Sequence, residues 1–83
     1  MSKTLLKFSA EWCKNCKPLT QIIENSGVSL PIKEYDIDVD FEIASRYKVR
    51  GIPTLVLLDD TGYEITRHTG LLNQEQLIKF CGK

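Results

Sequence analysis

At 83 residues, with 42% hydrophobic and 27% charged side chains, the chain has room for one soluble domain, 1–83, and no large insertion. Chains this short bury only about 60 to 65% of the surface that their unfolded form exposes. Eleven Lys and Arg balance eleven Asp and Glu, so no net field draws the chain to nucleic acid or to an anionic membrane surface.

No window approaches the roughly eighteen apolar residues of a membrane span, and "MSKTLLKFSAEW" holds too short an apolar run for a signal-peptide core. The expected compartment is the cytoplasm. Three cysteines are an odd number, a poor framework for a secreted disulfide-stapled miniprotein. In a reducing compartment a close cysteine pair is more often catalytic or metal-binding than structural.

In chain order, "KTLLKF", bounded by "SAEW", reads as a first strand that is at least partly buried. From Cys13 to about Glu24, Leu19, Ile22 and Ile23 recur at helical spacing, and "NSG" supplies the stop, with Gly27 as the C-cap element. "PIKEYDID" is strand-like, with Ile32, Glu34 and Asp36 on one side and Lys33, Tyr35 and Ile37 on the other. "DFEIASRYKV" places Phe41, Ala44 and Tyr47 at helical spacing behind an Asp38 or Asp40 N-cap. This β, α, β, α alternation implies a parallel strand pair joined right-handedly by the first helix.

The apolar run Leu55 to Leu58, the turn "DDTG" and the alternating "YEITRH" predict a β-hairpin. "NQEQLIKFCGK" predicts a last helix with Asn73 as cap, Gln76 completing a capping box, and Leu77, Ile78 and Phe80 as its apolar face. The whole reads βαβαββα, an α/β chain with no repeat, linker or low-complexity stretch.

Cys13 and Cys16 stand three positions apart in "SAEWCKNCKPL", and three readings are open: a structural disulfide, half of a metal site, or a pair that opens and closes as its work. Placed where the first helix begins, Cys13 meets unpaired backbone N–H groups and the positive end of the helix dipole, with Lys14 adding charge. Such a setting lowers thiol pKa and populates the nucleophilic thiolate. Cys16, almost a turn further and closer to the core, is placed to release a mixed disulfide by forming the intramolecular bond.

A metal needs about four ligands, or three and an open position. Beyond the pair the chain offers only Cys81 and His68 besides carboxylates, so no metal is expected. A structural disulfide closing so short a loop would constrain the unfolded chain little. A second signal is "VRGIPT", where Pro53 follows Ile52 just before the third strand. Cis bonds are nearly confined to X–Pro and persist where a fold needs a tight turn; the bland reading is an ordinary strand-entry proline.

At this point the chain resembles the thioredoxin family. "AEWCKNCK", "DIDVDFEIASRYKVRGIPTLVLL", "DDTG", Gly70 and the terminal helix match that pattern in order and spacing over essentially the whole chain. The N-terminal strand and helix of full-length thioredoxins are missing, as in the minimal versions of some archaeal and phage proteins; size and departures point to a phage origin and a host cytoplasm. The resemblance implies a four-stranded mixed sheet in order 2-1-3-4 flanked by three helices. It implies a cis Ile52–Pro53 bond beside the cysteines, with Trp12, Ile52, Pro53 and Gly70 forming a groove for extended substrate polypeptide. It also implies a monomer that reduces or exchanges protein disulfides with no bound cofactor, using an external electron donor such as a thioredoxin reductase.

Three departures stand out. The dipeptide between the cysteines is Lys14–Asn15 where most of the family has Gly-Pro. Pro18 comes earlier than the family's helix proline, and removes an N–H that could reach the Lys14 carbonyl. Six residues before Cys13, where relatives carry a buried aspartate, the chain has Lys7, and Glu34 aligns with that aspartate's lysine partner. Lys7 and Glu34 are expected to form a partly buried, charge-swapped ion pair beneath Cys16 that takes over its proton relay. A charged Lys7 would favour the Cys16 thiolate and stabilise the reduced form, raising the potential. The bland reading has Lys7 snorkelling to solvent and Glu34 on the surface.

Cys81 reads as a small buried hydrophobe or an exposed terminal thiol, and His68 as a strand-surface residue of the edge hairpin. Lys14 and Lys17 read as solvated lysines beside the site. The expected function is thiol–disulfide oxidoreductase, with Cys13 as nucleophile and Cys16 as resolving thiol. The alternatives are a glutaredoxin-like protein drawing electrons from glutathione and a non-catalytic interaction module. Against the former, Gly70-Leu71-Leu72-Asn73 lacks a Gly-Gly-x-Asp kind of glutathione grip.

Overall fold

The computed structural model describes residues 2–83. Seven elements follow the predicted order: β1 (Thr4–Ser9), α1 (Cys16–Asn25), β2 (Ile32–Asp36), α2 (Phe41–Arg46), β3 (Thr54–Leu58), β4 (Glu64–Thr69) and α3 (Gln74–Cys81). β1 pairs parallel to β2 and antiparallel to β3, and β3 pairs antiparallel to β4, so the four-stranded sheet runs β2-β1-β3-β4.

The two central strands carry the chain's most apolar runs, and alternation divides them between two cores. Leu5 of β1 and Leu55 and Leu57 of β3 face α1 and α3, where Leu19, Ile23, Leu72, Leu77 and Phe80 close over them. Leu6 and Phe8 of β1 and Val56 and Leu58 of β3 face α2 and pack with Ala44, Tyr35 and Tyr47. Fully burying each such side chain stabilises by about 1.5–3 kcal/mol.

The first helix differs from its predicted extent. It begins at Cys16, not Cys13, and runs one residue past Glu24. The cause is Pro18: with no N–H it cannot bond back to Lys14, so the first helical bond runs from Leu19 N to the Asn15 carbonyl at 3.2 Å. Cys13 lies ahead of it in a turn closed by its own N–H on the Ala10 carbonyl at 3.1 Å. Ser26 caps the other end and Gly27 follows with φ +78°.

The capping box of α3 forms in full. Asn73 Oδ1 accepts from Gln76 N at 2.8 Å and the Gln76 side chain accepts from Asn73 N at 2.9 Å. Asp40 is the N-cap residue of α2, yet its carboxylate accepts from Asp36 N at 3.2 Å instead of capping the helix.

The β3–β4 turn is organised by Asp59, whose Oδ1 accepts from the Thr61 N–H and hydroxyl and from Tyr63 N. The bonds from the Thr61 hydroxyl and the Tyr63 N–H hold its carboxyl below the usual carboxylate range. Gly62 sits in this turn at φ +92°, a conformation that costs a side-chain-bearing residue strain.

Candidate functional site

β1 ends at Ser9, and the segment to α1 carries Trp12, Cys13, Lys14 and Asn15 over the end of the sheet. Cys13 and Cys16 are disulfide-bonded with Cα atoms 5.5 Å apart, so the structure is that of the oxidised form. The two sulfurs are not equivalent in exposure. Cys13 is partly exposed, whereas Cys16, at the first position of α1 and facing the core, is only 6% exposed. Because Pro18 contributes no N–H, the helix end beside the pair offers fewer free donors than the predicted placement of Cys13 assumes. Lys14 and Lys17 are exposed, in keeping with solvated lysines.

Beside the disulfide lies a groove of about 570 Å³ whose walls include Cys13, Cys16, Lys7, Thr20 and Glu34. Lys7 is brought there by strand alternation: it shares the α1 face of β1 with Leu5 and Ser9 and is 2% exposed. Its Nζ donates to Thr20 Oγ1 at 2.5 Å and to Glu34 Oε2 at 3.3 Å. Lys7 and Glu34 are direct partners in the β1–β2 ladder.

The expected ion pair is therefore present, but its burial is one-sided, because the Glu34 side chain is 57% exposed. β2 is an edge strand, and its carboxylate reaches the groove from the rim, where the Ser9 hydroxyl also donates to it at 3.2 Å. Snorkelling of Lys7 to solvent does not occur.

Thr20, which sequence reasoning missed, is the nearer partner of Lys7. It sits one turn after Cys16 on the same helix face, and its hydroxyl donates to the Cys16 carbonyl at 3.0 Å. The available signal was the i, i+4 spacing from Cys16, readable only once Lys7 is known to face α1.

Trp12 is 65% exposed and is held by its Nε1–H, which donates to Asp38 Oδ2 at 2.8 Å. That bond ties the cysteine segment to the β2–α2 connection. A second hollow, of about 310 Å³, lies between Trp12 and the Arg50–Gly51–Ile52 stretch. The Ile52–Pro53 peptide is cis, and the Pro53 ring is buried. The β1–β3 ladder starts at Thr54, leaving Ile52 outside the paired strand. Gly70, at φ +103°, donates its N–H to the Pro53 carbonyl at 2.8 Å, which fixes the two segments side by side.

Two predicted bystanders are placed differently from each other. His68 is half-buried rather than on the open surface of β4: it is opposite the buried Leu55, its ring meets Phe80 edge-on at 6.5 Å, and among the described residues its buried Nε2 has no hydrogen-bond partner. Cys81 is a free, half-buried thiol whose pKa burial pushes up, against a smaller opposing effect of Lys3. It is the less reactive kind of cysteine.

The thioredoxin family model matches residues 1–83, that is, the chain from end to end. The chain belongs to the thioredoxin family. It is 43% identical over 82 residues to a thioredoxin of Chlamydia trachomatis, covering 95% of this chain and 79% of that protein. It is 38% identical to a thioredoxin of Rickettsia bellii, covering 92% and 75% of the two. Among solved structures, a mutant thioredoxin of Halobacterium salinarum superposes with a TM-score of 0.88 at 32% identity, over 96% of this chain and 72% of that one. The chain is accordingly a thioredoxin-type thiol–disulfide oxidoreductase, and its CxxC pair is the redox centre. No helix among the described residues is long and apolar enough to cross a membrane.

Proposed function

We propose that the two cysteines divide the work by exposure, Cys13 attacking and Cys16 resolving. The observation that supports this is the contrast between the accessible Cys13 and the 6% exposed Cys16 in one disulfide. In the reduced protein the Cys13 thiolate attacks one sulfur of a substrate disulfide; a Cys13–substrate bond forms, the substrate S–S bond breaks, and the leaving sulfur takes a proton. The Cys16 thiolate then attacks Cys13 Sγ, forming the Cys13–Cys16 bond and releasing the second substrate thiol. Two electrons pass from the dithiol to the substrate, and an external donor returns them.

Extended substrate polypeptide would lie across Trp12 and the Ile52–Pro53 backbone, with Gly70 bordering the track. The hollow between Trp12 and Ile52 and the absence of Ile52 from the β1–β3 ladder support this placement. Lys7, as an ammonium, supplies the charge beneath Cys16 that favours its thiolate, and the Glu34 carboxylate takes up the released proton on the groove side. The groove shared by Lys7, Glu34 and both cysteines supports that role. The protein is read as a cytoplasmic monomer acting on disulfide-containing proteins.

The electron donor is read as a thioredoxin reductase. Asn73, in the segment where a glutathione grip would lie, has its side chain committed to the α3 capping box. Turnover of a protein disulfide should be fast with NADPH and thioredoxin reductase, and at least about tenfold slower with glutathione and glutathione reductase. The reverse preference would replace this reading with the glutaredoxin-like one.

A further inference from the structure

We propose that Thr20 is a positioning residue for Cys16, holding the Lys7 side chain in place and coupling it to the resolving thiol. This rests on the reading of Cys16 as the resolving cysteine. The Thr20 hydroxyl has one proton, and it is committed to the Cys16 carbonyl at 3.0 Å. Its oxygen must therefore accept from Lys7, whose Nζ lies 2.5 Å away.

Glu34 cannot substitute for it: it is further from Nζ, at 3.3 Å, and its side chain is 57% exposed, so water weakens its hold. A 2% exposed lysine whose remaining partner sits at the groove rim has, among the described residues, no other fixed acceptor on the α1 side. Thr20 thus places a cationic group one hydroxyl away from the Cys16 backbone, and that charge favours the Cys16 thiolate. Without the hydroxyl, Lys7 turns toward Glu34 and the open groove, and the Cys16 thiol becomes a weaker acid.

The consequence falls on one step only. For a thiol titrating above the assay pH, each unit of rise cuts the thiolate fraction about tenfold. The greater nucleophilicity of the more basic thiolate recovers about half of this on a logarithmic scale, leaving resolution about threefold slower per unit. Attack by Cys13 is untouched.

The test uses the reduced protein and one equivalent of 5,5′-dithiobis(2-nitrobenzoate), which releases one coloured thiolate when Cys13 attacks and a second when Cys16 resolves. Thr20→Val should leave the first release unchanged, slow the second about threefold or more, and move its pH profile upward. Thr20→Ser, which keeps the hydroxyl, should behave as wild type, and Thr20→Val added to Lys7→Met should add nothing. If Thr20→Val does not fold, Thr20→Ala carries the same comparison. A second release as fast as wild type, or an equal slowing in the Lys7→Met background, would overturn the proposal. Absence of a second release in wild type would instead overturn the assignment of Cys16.

Discussion

Replacing Cys13 with serine is expected to reduce turnover of a protein disulfide to the level of the reductant alone. No other thiol can take over the first attack: Cys16 is nearly covered, and burial raises the Cys81 pKa and keeps that thiol protonated at neutral pH. Replacing Cys16 with serine should fail differently. Cys13 still attacks once, but nothing displaces the product, so the substrate accumulates as a mixed disulfide on Cys13. Intact-mass measurement without reductant separates the two: an unmodified Cys13→Ser protein, and a Cys16→Ser protein carrying one substrate. A Cys13→Ser protein retaining substantial turnover would assign the attack elsewhere.

The largest expected effect on stability comes from Phe8→Ala. Phe8 is fully buried on the α2 face, its ring 5.4 Å from that of Tyr35 and 5.9 Å from that of Tyr47. Truncating a buried phenylalanine costs about 3–5 kcal/mol through lost transfer energy and the cavity left behind. Domains have about 5–15 kcal/mol in total, smaller ones toward the lower end, so Phe8→Ala should retain little cooperative unfolding in urea. Phe41, 64% exposed, provides the contrast: Phe41→Ala should stay within about 0.5 kcal/mol of wild type. Equal losses at the two positions would show that the Phe8 cluster is not what holds α2 to the sheet.

Much of this arrangement was legible in the sequence because it follows from local periodicity and from motifs with fixed spacing. The seven elements, the hairpin turn at Asp59 to Gly62 and the Asn73–Gln76 capping box all depend on residues a few positions apart. The start of α1 was misplaced because apolar spacing shows where a helix packs, whereas the missing N–H of Pro18 decides where its hydrogen bonds begin. Residues that act through distant partners were harder to read. Lys7 and Glu34 could be paired from strand register, but the exposure of Glu34 follows from β2 being an edge strand with an open groove beside it. Thr20 gave no sign alone, and Asp38 read only as a candidate helix cap, since each acquires its part through a side chain 13 or 26 positions away. His68 reads as a surface residue by alternation along β4, until α3 is laid over that face.

The central claim is that Cys13 and Cys16 form a reversible redox couple whose reduced state is favoured by the buried Lys7. Equilibrating the protein in graded glutathione redox buffers, trapping free thiols and locating the disulfide by mass spectrometry tests it most directly. A reversible Cys13–Cys16 bond is expected, with Cys81 free throughout and a potential less reducing than the ~−270 mV typical of thioredoxin. Lys7→Met should move that potential back in the reducing direction. Absence of the Cys13–Cys16 bond in every buffer, or a bond that instead engages Cys81, would contradict the claim.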